Sequence, residues 1–385
     1  MIPYGHQDIS EEDIRAVEEV LRSDWLTQGP AVERFEHVVA EYCGAPHALA
    51  TCNGTAALHL ACRAVGLGPG DLLWTSPNTF VASANCGRFC GADVDFVDID
   101  SRTYNMSADE LERKLQSAQS QGRLPKVVIP VHFGGEPCDM RAIHELAKRY
   151  GVYVIEDASH AVGARYRDTA VGSCAYSDIT VFSFHPVKII TTGEGGMALT
   201  RNRELHENML MLRSHGITRD PGKMTGVSPG AWYYQQLDLG YNYRMTDIQA
   251  ALGASQMRRL EAFIARRHEL ASVYDTALAD LPVVLPARAA HNRSALHLYV
   301  IRLRAEAGKS RTEVFDAMRA GGVGVNVHYI PVHLQPYYRA LGFKAGDFPE
   351  AERYYAGSIS LPMFYGLSDD VQCRVIDAAR SALTC

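Results

Sequence analysis

Three times within residues 46–159 the chain repeats one plan: a short apolar strand, a turn, a helix and a further strand. The stretch "PHALATCNGTAALHLACRAVGLGPGD" reads as a strand, a turn at Asn53-Gly54 and a helix ended by Gly66 and Gly68. The stretches "DLLWTSPNTFVASANCGRFCGADVDFVDID" and "KVVIPVHFGGEPCDMRAIHELAKRYGVYVIEDAS" follow suit, and "DITVFSF" and "GGMALT" add two strands. Short apolar strands alternating with helices imply an α/β fold with a mostly parallel sheet covered on both faces. The pattern runs to about residue 200. A helical stretch, "TDIQAALGASQMRRLEAFIARRHELASVYDTAL", begins near residue 245. The last third alternates strands such as "HLYVIRLR" with helices such as "SRTEVFDAMRAGG". Two domains are expected: a large one over 1–250 and a smaller α+β one over 251–385. The N-terminal helix, capped by Ser10 in "DISEEDIRAVEEVLRS", is free to pack on the small domain.

A doubly wound sheet of this kind gathers its ligands beyond the C-terminal ends of its strands. The first strand has no G-x-G-x-x-G turn after it, which argues against a nicotinamide enzyme. It has "NGTAAL" instead, where backbone N–H groups and the Thr55 hydroxyl face an anion at a helix N-terminus, or where Thr55 simply caps the helix. "VYVIEDASHAVGA" ends an apolar strand with Glu156 and Asp157. A carboxylate there needs a partner, because burying it alone is costly. It can hold a protonated ring nitrogen, or it can cap the next turn. His160 flanks the same place.

The chain has 31 arginines and only 7 lysines, yet one lysine, Lys188, lies in the apolar, Gly-rich "VFSFHPVKIITTGEGGMALT". A desolvated ammonium loses its proton more easily and becomes a better nucleophile. The alternative is a stem on apolar surface with its head in water.

Several classes are excluded. A formal net charge of -6 argues against a nucleic-acid surface, and no apolar run approaches a membrane span. The N-terminus lacks the basic and apolar regions of a signal peptide. The nine scattered cysteines, without a C-x-x-C pair, fit free thiols in a reducing cytoplasm better than disulfides or zinc, and no metal is expected.

A strand-end acid, a Gly-Thr anion turn and a desolvated lysine together describe a pyridoxal 5'-phosphate (PLP) site. On "NGTAAL", "NTFVASAN", "EDASHAVGA", "SFHPVKIITTGEGG" and "GYNYRMTDIQAALG", in order along nearly the whole chain, the sequence resembles the fold-type I sugar aminotransferases of the DegT/StrS/ArnB family. The resemblance implies an aspartate aminotransferase-like fold. It implies that Lys188 is the Schiff-base lysine and Asp157 the partner of the pyridine nitrogen. His160 and Phe80 would flank the ring, Phe80 by stacking. Thr55, Ala56 and Ser183 would contact the phosphate, joined by Asn242 from a neighbouring subunit, which makes the working unit a homodimer. Histidine replaces the lysine in a dehydratase subgroup, so Lys188 argues against that activity. The sequence departs from the family's "NSGTAAL" at Cys52 and Asn53, and has Phe80 where some members carry Trp.

The implied reaction moves an amino group from glutamate to a nucleotide-linked keto-sugar. "MLRSHGITRDP", "WYYQQLDLGYNYRMTDIQAALG" and "VNVHYIPVHLQPYYR" resemble the 4-aminotransferases of pseudaminic acid formation, acting on a UDP-linked 4-keto-6-deoxy N-acetylhexosamine. Arg213, His215, Arg219 and Arg244 are candidates for the diphosphate. The loop from His328 through Tyr329 to Tyr338 is a candidate sugar pocket, or it packs. The alternatives are an aminotransferase for a dTDP- or 3-keto-sugar, and a PLP-binding regulatory module.

Overall fold

The computed structural model describes residues 1–384. Its centre is a seven-stranded sheet of β1 (His47–Thr51), β2 (Leu72–Thr75), β3 (Asp93–Phe96), β4 (Val127–Ile129), β5 (Tyr153–Asp157), β6 (Ile179–Ser183) and β7 (Gly196–Thr200). The spatial order is β1-β7-β6-β5-β4-β2-β3. The pairs along β6-β5-β4-β2-β3 are parallel, and only β7 runs against its neighbours. The sheet is therefore mostly parallel, as the alternation requires.

Side chains of a strand point alternately to opposite faces, so a sheet covered on both sides needs apolar residues at every position. β6 and β7 meet that demand. Ile179, Val181 and Ala198 enter one core with α3 (Gly54–Ala64), α4 (Ala82–Phe89) and α7 (Arg203–Arg213). Phe182, Met197 and Leu199 enter the other with α2 (Pro30–Cys43). Farther along that second face, Trp74, Val128 and Val154 pack under α5 (Ala108–Ser120) and α6 (Met140–Tyr150).

The helical stretch after residue 245 is two helices, α8 (Asp247–Met257) and α9 (Leu260–Ala277). The break falls at Arg258-Arg259, where the Arg259 guanidinium is held by Asp8 at 2.5 Å and Asp13 at 2.6 Å. Asp13 also closes a capping box with Ser10 at the start of α1 (Glu11–Leu21) and accepts from Gln256 at 2.6 Å. These bonds fasten α1 to α8. The helix thus packs on α8, which spans the boundary expected after residue 250. The extended segment before it reaches the C-terminal core, with Ile2 pairing with Val323 and buried there. The boundary expected after residue 250 falls inside α8.

Beyond α9 a three-stranded antiparallel sheet, β8 (Val283–Val284), β9 (Tyr299–Leu303) and β10 (Ser358–Leu361), is covered by α10 (Arg311–Ala320) and the final helix Asp369–Thr384. Among the described residues no helix is long and apolar enough to cross a membrane.

Candidate active site

A cavity of about 600 Å³ opens where the C-terminal ends of β1, β5 and β6 meet. Its wall includes Thr55, Phe80, Asp157, His160, Ser183, Lys188, His328 and Tyr329.

Lys188 sits on the loop that joins β6 to β7, with its N–H on the carbonyl of His185 at 2.9 Å. Phe184 and Thr192 tie the loop's two arms together by backbone bonds of 2.8 and 3.0 Å. Burial pushes the amine down to about 8, against the pull of the Asp157 charge in the other direction. Near neutrality a usable fraction is therefore unprotonated, which is what the apolar run of the sequence anticipates.

Asp157 ends β5, the neighbour of β6, and its register partner there is Val181. One carboxylate oxygen accepts from Ser83 Oγ at 2.6 Å and the other from the N–H of Ser159 at 3.1 Å. Thr79 Oγ1 lies 2.7 Å from Ser83 Oγ and completes the support. A carboxylate oxygen accepts more than one bond, so Asp157 keeps lone pairs for a ligand N–H. Glu156, one residue earlier, faces the other side of the sheet and is consumed by His132 at 2.7 Å and Thr180 at 3.1 Å.

At the other end of the cavity β1 turns into α3. The helix cap is Asn53, not Thr55: Asn53 Oδ1 takes the Ala56 N–H at 2.8 Å. That bond occupies the Ala56 N–H expected for a phosphate, and Ala56 does not line the cavity. Ser183 and the start of α3, Gly54 and Thr55, do. A Cβ on Gly54 would lie 2.9 Å from Ser183 Cβ, and one on Gly196 would lie 2.5 Å from the Asn53 carbonyl oxygen. Glycine at both places lets the turn close over the strand ends into a cradle of N–H and hydroxyl donors.

Phe80 is 57% exposed, an unusual state for a phenylalanine, and so offers a ring face to a ligand. Three histidines, His160, His297 and His328, are buried against the cavity. Burial first, then the charge of Lys188 or of neighbouring rings, holds His160 and His297 well below 6.5 and His328 at about 4. They are uncharged at neutral pH.

Sequence reasoning missed His297, Tyr4, Asn326, Ser83 and Thr79. His297 approaches His160 at 4.5 Å between ring centroids, and Tyr4 and Asn326 line the cavity. A lone histidine in "SALHLYV" carries no local signal. Of the loop from His328 to Tyr338, only the first two residues of that sequence assignment reach the cavity. Val332, His333 and Tyr338 pack into the core, Tyr338 with its hydroxyl on Asn85 at 2.7 Å.

Arg213, His215, Arg219, Arg244 and Asn242 lie outside the cavity wall of their own chain. Arg213 is tied to its own chain. Its guanidinium donates through Nη1 to Glu36 at 2.7 Å and to the Ala50 carbonyl at 2.8 Å, a link between α2, β1 and α7.

The depressed amine has a stability consequence in protein stripped of cofactor. The unfolded lysine titrates near 10.5 and the folded one near 8. Between those values the unfolded chain binds more protons, so unfolding free energy rises with pH through this window. Below pH 8 the cost of the buried charge is fully felt. Lys188→Met is therefore expected to be more stable than wild type by about 2–3 kcal/mol at pH 7, with the gap closing by pH 10.5. Urea melts of the two proteins at pH 7 and 10 measure this.

An amine, a carboxylate at the end of the adjacent strand, a ring-stacking face and an anion cradle fit PLP: its aldehyde, its ring nitrogen, its ring and its phosphate. Comparison with known proteins agrees. The chain matches the model of the DegT/DnrJ/EryC1/StrS aminotransferase family over residues 7–380. It is 42% identical over 383 residues to the spore coat polysaccharide biosynthesis protein SpsC of Bacillus subtilis, covering 98% of this chain and 96% of SpsC. It is 37% identical over 366 residues to the UDP-4-amino-4,6-dideoxy-N-acetyl-beta-L-altrosamine transaminase of Campylobacter jejuni, covering 94% of this chain and 92% of that protein. The structure of Helicobacter pylori PseC, an aminotransferase involved in the biosynthesis of pseudoaminic acid, superposes with a TM-score of 0.91 at 29% identity over 99% of both chains. Another solved neighbour, at TM-score 0.89, is a PLP form. The chain belongs to the DegT/DnrJ/EryC1/StrS aminotransferase family and is a sugar transaminase that works with pyridoxal 5'-phosphate.

Proposed function

We propose that the enzyme moves an amino group from L-glutamate to C4 of a UDP-linked 4-keto-6-deoxy-N-acetylhexosamine. The product is UDP-4-amino-4,6-dideoxy-N-acetyl-β-L-altrosamine, in pseudaminic acid biosynthesis. The observation that carries the reading is the amine of Lys188, held near 8, in one cavity with Asp157 on the adjacent strand. The likeness to the Campylobacter and Helicobacter enzymes supports the choice of sugar.

Bound in the cavity, PLP supplies an aldehyde that takes up amino groups and a ring that accepts the electrons freed at the reacting carbon. Lys188 anchors it covalently. Released, the neutral amine takes a proton from the donor's α-carbon and later returns one to the sugar carbon. Asp157 holds the proton on the ring nitrogen, and Ser83 and the Ser159 N–H keep the carboxylate in place. Thr55, Ser183 and the start of α3 receive the phosphate, while Phe80 and His160 bracket the ring. The uncharged His328 and Tyr329 face the sugar, where neutral hydrogen-bonding groups suit hydroxyls and an acetamido group.

The working unit is a homodimer in this reading. Asn242 is exposed and outside its own cavity, and reaches the phosphate of the second copy. Val227, Trp232 and Leu239, on the segment before it, are 95%, 74% and 70% exposed, an apolar surface that a second copy would cover. His215, Arg219 and Arg244 reach the nucleotide diphosphate from this same region. The cytoplasm fits, since the eight cysteines among the described residues are free thiols.

The test is mass spectrometry of products from glutamate and a panel of UDP- and dTDP-linked 3-keto- and 4-keto-sugars. Conversion of the UDP-linked 4-keto sugar is expected. Turnover of only dTDP-linked or 3-keto sugars overturns the substrate and leaves the reaction class standing. The higher identity to SpsC favours one second reading, a different nucleotide sugar destined for a surface polysaccharide.

A further inference from the structure

The Tyr329 hydroxyl has one protein partner among the described residues, His160 Nε2 at 3.0 Å. A phenol can donate or accept, so the distance alone does not say where its proton lies. The other nitrogen of His160 decides. Gly134 aims its backbone N–H at His160 Nδ1 from 3.3 Å. An N–H can only donate, so Nδ1 presents its lone pair and the ring proton sits on Nε2. His160 therefore donates to Tyr329 Oη, and the phenol's own proton points elsewhere.

The Gly134 peptide is well held. It sits at φ 64 in the turn after β4, a left-handed conformation that favours glycine. Its carbonyl accepts from the Leu298 N–H at 3.2 Å, and the Gly135 carbonyl from the Ala295 N–H at 2.9 Å. An imidazolium would place a second hydrogen against the Gly134 N–H. Burial and the Lys188 charge disfavour it too. Burial also raises the Tyr329 hydroxyl far above its ordinary value, so it keeps its proton.

Tyr329 and Lys188 line the same cavity. We propose that Tyr329 is a specificity-determining hydrogen-bond donor to an oxygen of the bound keto-sugar, and that Gly134, acting through His160, fixes this polarity. The site then favours a substrate with an acceptor oxygen at that point and rejects one that offers an N–H donor there. The inference rests on the sugar aminotransferase reading above.

Three variants test it, each read by calorimetric binding of the UDP-linked 4-keto-6-deoxy-N-acetylhexosamine to the PLP enzyme without amino donor. PLP affinity of the stripped protein is measured alongside. Tyr329→Phe is expected to weaken sugar binding about ten-fold while PLP affinity moves far less. His160→Glu accepts from both Gly134 and Tyr329, turns the phenol proton away from the cavity, and is expected to match Tyr329→Phe. His160→Gln can accept from Gly134 through its oxygen and donate to Tyr329 through its amide, so it is expected to lose far less than His160→Glu. Sugar affinity of Tyr329→Phe within two-fold of wild type overturns the proposal. So does equal loss in the Gln and Glu variants, or a loss in Tyr329→Phe confined to PLP. If the Glu variant does not fold, Tyr329→Phe decides alone. Failure of wild type itself to bind PLP and aminate any keto-sugar strikes the function above instead.

Discussion

Lys188→Arg is expected to abolish amino transfer, with a loss of about 10⁴-fold or more. Arginine keeps the positive charge and a stem of similar length, so the fold loses little. Its guanidinium does not give up its proton in proteins and can neither anchor an aldehyde nor carry a proton between carbons. Borohydride treatment of wild type should leave a cofactor adduct at position 188, seen by mass spectrometry of the peptide from β6 to β7. The Arg variant should have none. Transfer at wild-type speed in the variant, or an unlabelled Lys188 in wild type, refutes the assignment.

Asp157→Asn should be the next largest loss, about 10²–10³-fold in both half-reactions, since a fixed charge that stabilises the reacting ring is removed. The amide still offers one oxygen to Ser83 or Ser159, so the local structure should hold. Ser83→Ala removes one neutral hydroxyl from the same carboxylate and should cost only about ten-fold, the scale of a single hydrogen bond. Single-turnover absorbance with glutamate alone, followed by keto-sugar alone, measures both variants. A Ser83→Ala loss equal to that of Asp157→Asn would mean that orientation, rather than charge, is what Asp157 provides.

What could be read from the sequence, and what could not, divides along a physical line. The alternation of strands and helices was legible because it is local: β4 is Val-Val-Ile, buried on both faces, and nothing else in its neighbourhood competes for that pattern. Lys188 was legible because a charge in an apolar run is an anomaly wherever the chain goes. The bond of Arg213 to Glu36 was not legible, because the partner lies 177 residues away and no local pattern announces it. The cap of α3 was misread because Asn53 and Thr55 are both good caps two residues apart, and only the close approach of Gly54 and Gly196 selects between them. His297 and Ser83 enter the site through packing and through a hydrogen bond spanning 74 residues, which leave no trace in spacing.

The adjacency of β5 and β6 has a consequence for how such an enzyme can change. Neighbouring strands stand about 4.8 Å apart, a distance dictated by main-chain bonding. The carboxylate caps one of these strands, and the amine follows the other on a loop whose two ends are held by the pairing of β6 with β7. The gauge between the two reacting groups is thus built into the scaffold, not into the rim. Under the proposed function, replacing rim segments such as 326–329 would retune which sugar is admitted while the chemical step keeps its spacing, so new substrates would be reachable without rebuilding the engine.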